Sequence, residues 1–285
     1  MAQNSKIEWT THTANLWHGC TKVHKGCDNC YAEALAKRWG NDVWGNDKPR
    51  KMIKSVWNDL DRFQLLAKQA GEIHRVFVGS MMDIFEKPMP LINSKGDTVY
   101  EDWFITHRMF EQANTGQLRS KFFKNISNNK YPNLHFLLLT KRPSNINKYI
   151  PEHWKTAPPI NIMFGASPVN QETADKLISQ LLQVKGKRFL SIEPQLDKVD
   201  ILKYLNRTVH LPNDEGRIDW VIQGGESGHH KRPFNLEWAY DLMRQCKRAD
   251  VPYFFKQIDK IKPIPEDLQV REFPLIFKNR HPTLC

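Results

Sequence analysis

The chain has 285 residues, with 42 Lys and Arg against 31 Asp and Glu, for a net charge of +11. Hydrophobic residues make up 40% and charged residues 26%, so a packed core is within reach and wholesale disorder is excluded. No apolar run approaches the ~18–20 residues that cross a bilayer, and the opening MAQNSKIEWT lacks the layout of a signal peptide, so a cytoplasmic location and no membrane partner are expected.

In chain order, a first strand is expected near Asn15–Gly19, followed by a cysteine-bearing loop and a helix starting near Tyr31. Apolar spacing predicts helices over Val56–Ala70, Asp102–Ala113, Asn170–Val184 and Leu236–Ala249. Six runs are apolar at nearly every position: Arg75–Gly79, Leu134–Leu139, Asn161–Gly165, Arg188–Ile192, Trp220–Gln223 and Pro252–Phe255. Such runs suit parallel strands covered on both faces, and their alternation with helices predicts βα units. The expected fold is therefore α/β, a complete or partial parallel (β/α) barrel of the TIM-like kind, with a doubly wound open sheet as the alternative. Residues 1–257 would form the barrel-like domain, with an insertion at about 84–130 after the first clear strand. Residues 258–285, rich in Pro and charge, would form a tail packed on the body.

Polar residues gather where each apolar run stops. The six ends carry Asp83, Lys141-Arg142, Ser167, Glu193, Gly224-Gly225-Glu226 and Lys256. Carboxyl ends of parallel strands share one face, and that face is where active sites of such folds sit. Two adjacent glycines allow a ligand close to the backbone, and the neighbouring carboxylate can accept from an ammonium or a hydroxyl. Lys141, Arg142 and Lys256 suit an anionic substrate, and Asp83 can accept from a base or sugar donor. The chain contains neither a P-loop nor a GxGxxG motif.

Three of the five cysteines, Cys20, Cys27 and Cys30, lie in one segment with six residues between the first two and two between the last two. Clustered thiols in a reducing compartment point to metal rather than disulfides. Three thiolates can hold three irons of a [4Fe–4S] cluster and leave the fourth open. Zinc on the same cysteines with His18 or His24 is equally compatible with the spacing, and a Cys27–Cys30 redox couple leaves Cys20 unused.

Several blocks in order carry a resemblance: Ile7-Glu8-Trp9-Thr10, GCDNCYAE at 26–33, VFVGSMMDIF at 76–85, LLLTKRP at 137–143, SIEP at 191–194, DWVIQGGESG at 219–228, Arg232-Pro233 and FFKQ at 254–257. Together they resemble a phage- and prophage-borne three-Cys-motif family of unknown function, often grouped with radical S-adenosylmethionine proteins. The resemblance implies a partial (β/α) barrel with a [4Fe–4S] cluster on Cys20, Cys27 and Cys30. S-adenosylmethionine would bind at the open iron and be cleaved with one electron from an external donor. Gly224, Gly225, Glu226, Glu193 and Ser167 would then meet that cofactor, and Asp83, Lys141, Arg142 and Lys256 the substrate. The basic balance and the phage association point to a nucleic-acid base or a nucleotide as substrate, modified or repaired. A phage- or operon-encoded protein is a further candidate partner. The competing expectations are a non-catalytic nucleic-acid-binding protein with a structural zinc or iron–sulfur site, and a nuclease using Asp83, Glu193 and Glu226 with a divalent metal.

Overall fold

The computed structural model describes residues 3–100, 111–205, 216–228 and 230–277. Its elements run β1 (His12–Ala14), β2 (Trp17–His18), α1 (Tyr31–Arg38), β3 (Arg50–Met52), α2 (Val56–Ala70), β4 (His74–Val78), β5 (Leu91–Ile92), α3 (Thr115–Ser127) and β6 (Leu134–Thr140). They continue with α4 (Ile146–Tyr149), β7 (Ile162–Ala166), α5 (Gln171–Leu181), β8 (Lys187–Ile192), α6 (Leu202–Leu205), β9 (Trp220–Gly224), α7 (Leu236–Arg248) and β10 (Tyr253–Gln257).

Seven strands form one sheet in the order β1-β4-β6-β7-β8-β9-β10, and every neighbouring pair is parallel. The order follows the chain without reversal, so the sheet winds in one direction as a half-barrel. The doubly wound alternative, which needs a switch point, does not apply. A small sheet of β2, β3 and β5 stands beside it.

Each strand buries both faces, but the two faces meet different partners. Val76, Val78, Phe136, Leu138, Phe164, Leu190, Val221 and Phe255 pack in one cluster with Phe63, Phe122, Ile178 and Leu242 from the helices. The alternate residues Phe77, Leu137, Met163, Phe189, Ile222 and Phe254 form a second cluster inside the curve of the sheet. This double burial explains why the strands read as continuous apolar runs. The helices carry local signals of their own. In α5 the Asn170 side chain accepts from Thr173 N at 3.0 Å while the Thr173 hydroxyl accepts from Asn170 N at 3.0 Å, a reciprocal cap.

The amino-terminal end of the half-barrel is plugged. Trp9 lies against Phe77 with ring centroids 4.7 Å apart, and Phe273 and Phe277 each stand 5.6 Å from Trp220. The segment after β10 returns along its free edge: Phe255 N donates to Val270 O and Glu272 N to Tyr253 O, each at 3.0 Å. That pairing covers an edge that would otherwise offer unpaired backbone groups.

Two expectations need correction. The first strand of the main sheet is His12–Ala14, not Asn15–Gly19; within the latter, Trp17–His18 pairs antiparallel with Arg50–Met52 in the small sheet. The sequence His12-Thr13 looks polar, yet His12 is buried by stacking on Phe63 at 4.0 Å and by a 3.0 Å hydrogen bond with His74. Of the helix expected over Asp102–Ala113, residues 102–110 lie outside the described ones, and Gln112 forms an isolated antiparallel bridge with Tyr100.

Candidate functional site

Along four of the strands, taken two residues at a time, the inward face changes from apolar to polar. Leu137 leads through Leu139 to Lys141, Met163 through Gly165 to Ser167, Phe189 through Ser191 to Glu193, and Phe254 to Lys256. Side chains two apart share a face of a strand, so this gradient lies inside the half-barrel. Its polar end opens into one cavity of about 290 Å³. Phe77, Trp9 and Leu139 also line this cavity, as do Ser167, Ser191, Glu193, Gly225, Glu226 and Lys256, together with Asp83, Lys141 and Arg142. All three clustered cysteines line it too. Cys27 is buried, Cys20 and Cys30 are half-buried, and all are free thiols. Of the residues expected at a site, Gly224 and the alternative zinc ligands His18 and His24 are not in the wall.

The cysteine loop is bolted to the sheet at both ends. At the first end Gly19 N donates to Met81 O at 3.0 Å, tying the loop to the exit of β4. Gly19 has φ +117°, and a Cβ there would collide with the Val43 carbonyl oxygen, so the position requires glycine. Arg142 then reaches across: Nη2 donates to Thr21 O at 2.6 Å, Nη1 to Asp83 Oδ2 at 2.7 Å and to Cys20 Sγ at 3.8 Å. Asp83 is saturated, since it also accepts from Thr140 Oγ1 at 2.7 Å, Lys141 N at 3.1 Å and Phe85 N at 3.0 Å.

Beneath Arg142 lies a fully buried pair. Arg50 Nε donates to Glu86 Oε2 at 2.9 Å and Nη2 to Oε1 at 2.8 Å. The remaining guanidinium donors take Val43 O, Lys48 O, Gly45 O and Thr21 Oγ1 at 2.7–3.0 Å, so every donor has an acceptor. Burial, helped by Asp83 and Glu86, pushes the Cys20 thiol up to about 12, against the opposing pull of Arg142. Burial works against the Arg142 charge, but Asp83, Cys20 and Glu86 hold it above its ordinary range.

At the other end the bolt is Glu226. Its Oε1 accepts from Arg232 Nη2 at 2.7 Å, and its Oε2 from Arg232 Nε at 3.0 Å, Arg232 N at 2.8 Å and Asn29 Nδ2 at 3.0 Å. Asn29 lies between Cys27 and Cys30, and Arg232 Nη2 also donates to Lys25 O at 3.1 Å. Burial raises the Glu226 carboxyl, but Arg232 and Asn29 outweigh it and hold the group below its usual range. Gly225 brings the backbone against the tail: a Cβ there would overlap the Ile258 carbonyl oxygen.

Glu193 and Lys256 form an ion pair with each other inside the cavity, and both side chains are mostly buried. The sequence assigned Asp83, Arg142 and Glu226 to ligands, and the structure brings them to the cavity with their polar groups engaged in holding the loop. Sequence reading missed Arg50, Glu86, Asn29 and Lys260. Arg50 sits in a basic run, Lys48–Lys54, that reads as solvated surface. Arg232 was noticed only through the resemblance. His18 stacks on Trp39 at 6.0 Å, and His24 Nδ1 accepts from Gly26 N at 3.1 Å to cap the turn that ends in Cys27. His229 lies outside the described residues.

Among the described residues no group of three or more His, Cys, Asp or Glu is placed to hold a single metal ion. Three thiols on the wall of one cavity are a soft donor set of the kind that holds an iron–sulfur cluster or zinc. Among the described residues no helix is long and apolar enough to cross a membrane.

Comparison with curated proteins gives no match, and comparison with solved structures gives none. A family model matches residues 4–101 and 103–271, which takes in the cysteine loop, all seven strands of the half-barrel and Arg232. The chain therefore belongs to the family described as "Protein of unknown function (DUF5131)".

Proposed function

We propose that the protein is a radical S-adenosylmethionine-type enzyme that modifies or repairs a nucleic-acid base or nucleotide. The observation that carries this reading is the convergence of Cys20, Cys27 and Cys30 with the polar ends of the parallel strands on one cavity. In this reading the three thiolates hold a [4Fe–4S] cluster, which when loaded and reduced supplies the electron that cleaves the S-adenosylmethionine sulfonium bond.

The chain's own residues do the rest. Glu226 with Arg232, and Asp83 with Arg142, fix the two ends of the cysteine loop before any metal arrives. Cys20 gives up its proton on ligation, since thiolate rather than thiol is the ligand. Ser167 and the wall at Gly225 face the cofactor's polar groups, and Glu193, paired with Lys256, faces the base or sugar of the substrate. Lys141 and Lys256 supply positive charge for an anionic substrate, and the Trp9, Phe77 and Leu139 floor keeps water from the reacting atoms. Partners in this reading are an external one-electron donor and a nucleic acid or nucleotide.

One observation weighs against the hydrolase reading. A hydrolase built on Asp83, Glu193 and Glu226 needs free carboxylate oxygens, and arginines occupy two of the three groups. The test is anaerobic loading with iron and sulfide, then reductant and S-adenosylmethionine. Formation of 5′-deoxyadenosine and methionine supports the reading; a loaded, reduced protein that leaves S-adenosylmethionine intact overturns it.

A further inference from the structure

The charges in the cavity wall divide into two groups, spent and unspent. Asp83 and Arg142 are spent on each other and on the cysteine loop, and Glu226 on Arg232 and Asn29. Lys22 pairs with Glu33 at 2.9 Å. Four charged side chains remain: Glu193 and Lys256, whose only side-chain partners among the described residues are each other, and Lys141 and Lys260, whose amines have none. Three cations against one carboxylate leave a surplus of two positive charges facing the cavity.

An aromatic floor, one carboxylate with an oxygen to spare and a surplus of lysines describe the ligand by complement. Trp9 and Phe77 make the floor apolar and aromatic, Glu193 accepts from N–H or O–H donors, and the lysines bind phosphate. The volume of about 290 Å³ lies near the low end of the usual range for small-molecule pockets, room for one nucleotide unit rather than a duplex.

We infer that the cavity takes a phosphorylated nucleoside, with its phosphate on Lys141 and its base or sugar donors on Glu193 beside Lys256. This deepens the nucleotide part of the proposed function and does not depend on the cluster. The phosphate can belong to a free nucleotide or to a strand, and the test separates the two.

The purified full chain, without added iron, is titrated by calorimetry with the common nucleosides, their 5′-monophosphates and a short single-stranded oligonucleotide. At least one monophosphate should bind about tenfold or more tighter than its nucleoside. Lys141→Met should remove most of that advantage, Lys141→Arg should keep it, and Glu193→Gln should weaken nucleoside and nucleotide alike. An oligonucleotide that outcompetes the monophosphate marks a strand as the source, and the reverse marks a free nucleotide. Equal binding of nucleoside and monophosphate, an unchanged preference in folded Lys141→Met, or no binding of any of them overturns the inference. Iron loading is read separately by colour and metal content, so failure here is distinct from failure of the cluster.

Discussion

Arg232 grips Glu226 with two guanidinium nitrogens, Nη2 at 2.7 Å and Nε at 3.0 Å, and the same Nη2 holds the Lys25 carbonyl oxygen of the cysteine loop. Glu226 ends the inward row of β9, so this pair transmits the position of the sheet to Cys27 and Cys30. Arg232→Met leaves a buried carboxylate short of its main partner, a loss of about 2–3 kcal/mol concentrated in the loop. Iron retained after anaerobic loading should fall several-fold, while far-ultraviolet circular dichroism stays that of the parent. Retention equal to the parent's would show that the loop does not need this bolt.

The Arg50–Glu86 pair underlies the other end of the loop and is almost fully buried. Removing one member of such a pair strands the other charge, at a cost of about 3–5 kcal/mol. Arg50→Met should lower the urea midpoint of the whole chain. Replacing both with a matched apolar pair should be far less harmful than either single change. Equilibrium unfolding of the three variants checks the order.

Cysteine substitutions should divide sharply by place. Cys246 is buried in α7 among Leu242 and Ala239, and it is not part of the cavity wall. Cys246→Ala should cost a modest amount of stability, on the order of 1 kcal/mol, and leave iron content unchanged. Cys20→Ser, Cys27→Ser and Cys30→Ser should each lose most of the bound iron. Inductively coupled plasma analysis of the four proteins reads the result.

Much of the scaffold is written in local patterns. The strands stand out because both faces are apolar, and α2 begins and ends where its periodicity does, at Val56 and Ala70. The convergence of strand ends follows from parallel topology alone, so the wall of the cavity was legible without coordinates. What was not legible is which polar groups are already in use. Glu226 and Arg232 are six residues apart, and Asp83 and Arg142 are fifty-nine apart, and neither spacing is that of a helix face or a ladder. Those pairs arise from loops meeting above the sheet, where no periodicity constrains them. The strand at His12–Ala14 was hidden for a different reason, since His12 enters the core as a neutral aromatic ring rather than as a charge.

That burial sets an acid limit. His12 is lowered from 6.5 to about 4 by burial, with His74 and Arg62 adding to it, and His135 to about 4 by burial and Arg75. Their folded-state values are depressed, so the unfolded chain binds more protons below 6.5. Stability is full above that pH and is lost as pH falls toward 4. Urea midpoints measured from pH 7 to pH 4.5 should decline, and His135→Leu should flatten part of the slope. A flat profile in the parent would contradict the burial of these rings as neutral groups.

The most direct test of the central claim is the metal and sulfide content of the full chain after anaerobic loading, read with its low-temperature electron paramagnetic resonance after reduction. About four irons and four sulfides per chain, lost in Cys20→Ser, with a reduced-cluster signal that changes on adding S-adenosylmethionine, is the expected result. One tightly held zinc, or iron bound equally well without Cys20, would contradict it.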